Sequence, residues 1–275
     1  MIALCCWSLV WCAQLVGHAA CDGIHTLNAS TDQRRAALDA CATAVSKTPI
    51  EFLLSATAQL NRCDRRSSDL GDIAAAWNPH DLAREPTLST LLELATGKGG
   101  STPGAQIVAT RALLALPPDL RPAAARAITP IVVELTAVPS KMAYDKKEFS
   151  VAPGQVVQIN FHNPDALEHN LLFVTPGALA EMGVAGDRMG QGADGRQKEF
   201  IPDSPKVLAV MGLVSPGSSQ SFWFIAPTTP GTYPFVCTYP SHWRTMNGKM
   251  KVVAPPTSAP PAPKEPPSPQ PTAAN

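Results

Sequence analysis

One loop near the C-terminal end constrains this chain more than any other: Cys237-Thr-Tyr-Pro-Ser-His242-Trp-Arg-Thr-Met246. It sets a thiolate, an imidazole and a thioether within a few residues of one another. It also lies between two strand-like runs, Tyr233-Pro-Phe-Val-Cys237 and Lys249-Met-Lys-Val-Val253. A loop pinned by a sheet at both ends holds its side chains in a compact, fixed geometry. Two soft sulfur donors and an imidazole select copper once a second histidine joins them. Fixed geometry is what a metal needs if it is to change oxidation state without rearranging.

The segment from Gln158 to Val174 offers two histidines, and strand parity separates them. Val157, Ile159 and Phe161 share one face, which leaves His162 on the other with Gln158 and Asn160. His169 shares parity with Leu171 and Phe173, so it points inward at the start of the next strand. A lone histidine is ordinarily a core or surface residue. Here His169 completes a pattern of four ligand types with Cys237, His242 and Met246. Met250 is a rival thioether, but it alternates with Lys249 and Lys251 and shares parity with Val252, which reads as a core strand position.

These pieces resemble a known family. Glu168-His169-Asn170, the run Pro-Gly-Thr-Tyr-Pro-Phe-Val ending at Cys237, and the Cys-x4-His-x3-Met spacing are similar to the cupredoxin, or type 1 blue copper, domains of the azurin, auracyanin and plastocyanin kind. The resemblance covers about Pro130 to Val253. It implies a Greek-key β-sandwich holding one copper ion, with His169, Cys237 and His242 in a trigonal plane and Met246 weakly along the axis. It implies one-electron transfer. It also implies that Asn170 ties its strand to the Cys-bearing loop and that a backbone amide donates to the Cys237 sulfur. Glu168 departs from the Gly or Pro more usual in the family at that place.

Other chemistries find less support. Zinc would accept a Cys and two His but has no use for a Met ligand. A catalytic copper centre keeps an open position lined by further histidines, and only two of the six His are well placed. There is no Cys-x-x-Cys-His for covalent haem and no phosphate loop of the usual form. The formal net charge is zero, so nothing points to nucleic acid.

The rest of residues 131–254 reads as an all-β sandwich. Strands are expected at Val132–Val138, Met142–Asp145, Glu148–Val151, Gln155–Phe161, Val207–Val214 and Gln220–Ile225, besides those flanking the ligand loop. Residues 175–205 interrupt the pattern. A short helix over Gly177–Gly183 and a mobile Gly-rich stretch to Gly195 are expected there, as an insertion covering one edge. Met182 and Met189 in it read as packing.

Residues 22–130 read as a small all-α domain that resembles the helical hairpins of a HEAT-like solenoid, with helices over Thr31–Ala42, Glu51–Leu60, Leu88–Leu94 and Ala105–Leu114. It is expected to serve as a docking or scaffold module. Residues 1–21 carry no Asp, Glu, Lys or Arg, which reads as a secretory signal or a membrane anchor. Cys41 and Cys63 could pair in an oxidising compartment or stay as thiols. Residues 255–275 are rich in Pro, Ala and Ser and cannot bury a core.

The expected protein is therefore an exported electron carrier, periplasmic or otherwise extracytoplasmic, and not a catalyst. It meets a redox protein donor and acceptor and has no small-molecule substrate. A copper chaperone, or an accessory electron-transfer domain of a larger oxidoreductase complex, are the alternatives. Trp243, Tyr239 and Pro240 are expected either to form an apolar rim for electron exit or, for Trp243, to pack as a lid.

Overall fold

A computed structural model describes residues 62–254 apart from Asp64. The expected helices over Thr31–Ala42 and Glu51–Leu60, Cys41, the leader and the Pro-rich tail lie outside these residues. Among the described residues, nine strands follow a set of helices: β1 Ile131–Val138, β2 Ala143–Tyr144, β3 Glu148–Val151, β4 Val156–Asn163, β5 His169–Val174, β6 Val207–Val214, β7 Ser218–Ile225, β8 Gly231–Val236 and β9 Asn247–Val252. They form two sheets, β2-β1-β4-β7 and β3-β9-β8-β5-β6. β1 runs parallel to β4 and β3 parallel to β9, and the remaining pairs are antiparallel.

Alternation explains most of the sandwich. On β4, Val157 pairs with Phe224 of β7 and Ile159 with Phe222, and these four and Phe161, on the same face, are buried. Phe173, Phe224, Phe222 and Phe235 then meet in the middle, with Phe173 and Phe224 centroids 4.6 Å apart. β5 is different, because every residue from His169 to Val174 is buried. A strand buried on both sides needs cover on both sides. Leu171 and Phe173 join the main core. Leu172 and Val174 join a second cluster with Ala178, Met182, Val207, Val210 and Val236.

The insertion supplies that second cover. Its helix spans Leu179–Met189, longer than the expected Gly177–Gly183, and it lies over the outer face of the five-stranded sheet and over the ligand loop, not along an edge. Gly183, at the end of the expected helix, and Gly186, in the stretch expected to be mobile, both lie on a contact face. A Cβ on Gly183 would stand 2.2 Å from Trp243 Cδ2, and one on Gly186 would stand 2.3 Å from the Thr238 carbonyl oxygen.

The helices before the sandwich are α1 Arg65–Ala75, α2 Pro79–Leu82, α3 Thr87–Ala95, α4 Pro103–Ala115 and α5 Ala123–Arg126, so the insertion helix is α6. α4 begins with Thr102 capping the Ala105 amide at 3.3 Å and with Pro103 in its first turn. It is buried nearly all round, as a helix between layers must be. α4 lies against β7, and α1 touches β6 and β7, the strands that end the two sheets. The Arg111 guanidinium sits 5.2 Å from the Trp223 ring centroid, and the Val210 amide donates to the Cys63 carbonyl at 2.9 Å. The helical layer and the sandwich thus share one hydrophobic core, and the layer shields two sheet edges from pairing with another chain. Among the described residues no helix is long and apolar enough to cross a membrane.

Candidate metal centre

β8 carries the chain into Cys237, and β9 leaves from Asn247, so the ligand loop closes a hairpin whose last register pair is Val236 with Asn247. The loop is tied to itself. The Cys237 amide donates to the Met246 carbonyl at 3.0 Å, and the Met246 amide donates to the His242 carbonyl at 2.8 Å. A short 3-10 turn spans His242–Arg244, entered through Ser241 at φ 72°.

Three donor atoms converge under this loop. His169 Nδ1 and His242 Nδ1 are 3.2 Å apart, and Cys237 Sγ lies 3.9 Å from the first and 3.7 Å from the second. A borderline metal held at ~2.0 Å by nitrogen and ~2.3 Å by sulfur in a plane would set the two nitrogens roughly 3.5 Å apart and each nitrogen roughly 3.7 Å from the sulfur. The donor set fits a metal of that size. Cys237 and His169 have no exposed surface and His242 has 4 %. Met246 is fully buried, with its backbone bonded to Cys237 and His242. Met250 is also buried, but it sits on β9 opposite Phe149 and Tyr233, three positions along the strand from Asn247, or roughly 10 Å at strand rise. His162 is exposed, with Nδ1 2.9 Å from Ser219 Oγ.

Burial sets the protonation of the donors. It pushes the Cys237 thiol up to about 12, against the lowering effect of hydrogen bonds from the Asn170 and Tyr239 amides. Burial first, then repulsion from His169, brings His242 down to about 4, with Asp165 opposing. His169 is lowered as well, mainly by burial. The site without metal therefore holds two neutral imidazoles and a neutral thiol, and a metal cation has one proton to displace.

Asn170 binds the two ligand-bearing strands together. Its Oδ1 accepts from the Thr238 amide at 2.7 Å, and its Nδ2 donates to Thr238 Oγ1 and the Glu199 carbonyl. Thr238 Oγ1 donates to the Phe200 carbonyl at 2.7 Å, so the far end of the insertion is tied into the same network. Glu199 and Phe200 take left-handed backbone, φ 52° and 55°, which turns both carbonyls toward it. Beneath, the Tyr144 hydroxyl donates to the Asn170 carbonyl at 2.7 Å.

Two residues near the site carry roles that strand parity does not show. Asp187 on α6 accepts from the Ser241 amide at 2.6 Å and from Trp243 Nε1 at 2.9 Å, with Arg244 at 3.2 Å. Trp243 is accordingly a half-buried lid under α6, not an open rim. Tyr239 takes the outer position, half-buried, with its ring centroid 4.6 Å from that of His242 and 5.0 Å from that of Phe200. The second residue is Asp165, whose Oδ2 lies 3.2 Å from His169 Nε2. The only hint in the sequence is its place in the Asn163-Pro-Asp165 turn, four residues before His169.

A profile of copper binding proteins of the plastocyanin/azurin family matches residues 131–253. Auracyanin-A of Chloroflexus aurantiacus is 30 % identical over 125 residues, which are 45 % of this chain and 75 % of that relative. Auracyanin-B of the same organism is 31 % identical over 125 residues, 44 % of this chain, and the match spans 51 % of that relative. Among solved structures, dithionite-reduced auracyanin from Roseiflexus castenholzii is 33 % identical, with 44 % of this chain and 96 % of that chain covered and a TM-score of 0.39. Auracyanin A from Chloroflexus aurantiacus, described as a "blue" copper protein, is 30 % identical, with 46 % and 100 % covered and a TM-score of 0.41. Through residues 131–253 the chain belongs to the copper-binding plastocyanin/azurin family.

Proposed function

We propose that this protein is an exported type 1 copper protein that carries single electrons, in which His169, Cys237 and His242 would hold the copper and Met246 would be its weaker fourth ligand. The observation that supports this most is the convergence of three donor atoms, all within 4.8 Å of one another, in a place closed to solvent. Copper bound there supplies a one-electron couple between Cu(I) and Cu(II).

The chain supplies the frame. Cys237 gives up its proton, and the Asn170 and Tyr239 amides steady the resulting thiolate. Pro240 has no amide hydrogen and adds no third donor. The hairpin, the Asn170 network and α6 hold the donors against rearrangement. Burial keeps water and small molecules from the donors, which suits a carrier that meets a redox protein and not a small substrate. Tyr239, stacked on His242 and partly open, gives that partner a place of contact. The uncharged residues 1–21 support export, and the described helices between Arg65 and Arg126 serve as a scaffold on the sandwich.

Voltammetry of the copper-loaded protein tests the reading. A reversible one-electron wave is expected. Met246→Leu raises its potential by removing a weak donor to the oxidised ion, and Met250→Leu leaves it in place. A wave that moves with Met250 and not with Met246 contradicts the choice of Met246 as a ligand.

A further inference from the structure

Among the described residues Asp165 is the carboxylate that touches a residue of the converging set, through His169. Its side chain is 5 % exposed. Oδ2 lies 3.2 Å from His169 Nε2, on the side of the ring away from Cys237. The other oxygen is held by backbone: the Ala166 amide donates to Oδ1 at 2.7 Å and the Ser140 amide at 3.2 Å. The loop that carries it is held too. Asn163 Oδ1 accepts from the Asp165 amide at 3.2 Å, and Asn163 Nδ2 donates to the Leu167 and Val214 carbonyls, each at 2.8 Å. Asp165 is thus locked on three sides with one oxygen aimed at the imidazole.

We propose that Asp165 is the positioning residue of His169: it accepts the Nε2 proton, fixes the imidazole as the Nε2–H tautomer with its Nδ1 lone pair toward Cys237 and His242, and places a permanent negative charge behind that ligand. This rests on the copper reading given above. An ionised carboxylate accepts hydrogen bonds only, so a proton on Nε2 is the arrangement it favours. A neutral imidazole has one N–H, and placing it on Nε2 leaves Nδ1 free to coordinate. A carboxylate behind a ligating His also raises the basicity of the ligand, and loss of such a partner weakens metal binding by roughly 10–100-fold. The added negative charge favours the more positive oxidised ion.

Asp165→Asn separates this role from a structural one. The amide oxygen can still accept from Ser140 and Ala166, while its NH2 group opposes the His169 N–H. Two readouts are needed. In the metal-free wild-type protein, a long-range proton–nitrogen spectrum of 15N-labelled histidine should show His169 as the Nε2–H tautomer, and Asp165→Asn should remove that preference. In the copper-loaded protein, Asp165→Asn should weaken Cu(II) binding at least roughly tenfold more than Cu(I) binding. A tenfold difference appears as a rise of 59 mV in a one-electron couple. Asp203→Asn, an exposed carboxylate away from the site, should change neither.

His169 found as Nδ1–H in the metal-free wild type overturns the proposal, and that result needs no variant to fold. An Asp165→Asn protein with unchanged tautomer and unchanged potential overturns it as well. A wild-type protein with the Nε2–H tautomer that takes up no copper keeps the positioning role and refutes the copper reading instead.

Discussion

Asn170 and Thr238 clasp each other in both directions: the Thr238 amide donates to Asn170 Oδ1 at 2.7 Å, and Asn170 Nδ2 donates to Thr238 Oγ1 at 3.0 Å. Each follows a proposed copper ligand in sequence, so the clasp sets the separation of His169 and Cys237. Asn170→Ala leaves the Thr238 amide without its acceptor in a dry place and takes one donor from the Glu199 carbonyl. At roughly 1–3 kcal/mol for an orphaned group, the expected loss is about 2 kcal/mol, or roughly 6 °C in melting temperature. Thermal unfolding of the metal-free protein checks it. A change below about 2 °C would mean that the clasp is not what holds the two strands together.

The contact of α6 with the ligand loop makes a sharper prediction about Trp243. Gly183 lies so close to the indole that any side chain would meet it at 2.2 Å, whereas a Cβ on Gly192 would find its nearest atom at 3.4 Å. Gly183→Ala should cost about 1–3 kcal/mol through overpacking and should speed copper loss by loosening the His242 turn. Gly192→Ala should do neither. Trp243→Lys should behave like Gly183→Ala, as a lid residue does. Slower electron exchange with stability and copper retention unchanged would instead restore Trp243 to an exposed exit.

Asp187 gives the loop its acid limit. Burial works against its charge, but Trp243 Nε1, the Ser241 amide and Arg244 outweigh that and hold the carboxyl below its usual value. A carboxylate depressed in the folded state contributes stability above its unfolded value near ~3.9, and that contribution is lost as pH falls through the folded one. Metal-free protein should therefore lose stability below about pH 4, and Asp187→Asn should show a smaller loss over that window. Identical acid transitions for the two proteins would remove Asp187 from the account.

The shared core bears on how the chain can be divided. A fragment from about Ile131 to Ala254 keeps all four proposed ligands, so it should still take up copper. It also uncovers Trp223 on β7 and the open edge of β6. It is expected to melt lower than the whole protein and to self-associate through those strands. Size-exclusion chromatography and melting of the fragment check this. A monomeric fragment as stable as the whole chain would make the helical layer an independent body.

Much of the sandwich was legible because period-two burial is a local signal. β3 and β6 occupy the expected residues, and β1 differs by one. The site was legible for a related reason: Cys237, His242 and Met246 lie in one loop, and His169 has the inward parity of its strand. What the sequence concealed depends on contacts between distant segments. Gly183 and Gly186 look like breakers until Trp243 and Thr238 are packed on them. Asp165 looks like a turn residue until His169 is turned toward it. α1 escaped notice because its pattern, with Arg-Arg-Ser-Ser at the start, signals a helix only once β6 and β7 lie behind it.

The central claim is that Cys237, with His169 and His242, holds copper as a thiolate in a closed site. The visible spectrum of the Cu(II)-loaded protein tests it most directly. The account predicts an intense thiolate-to-copper charge-transfer band that Cys237→Ser abolishes while the fold remains. A colourless Cu(II) complex of the intact protein, or a band that survives Cys237→Ser, would contradict it.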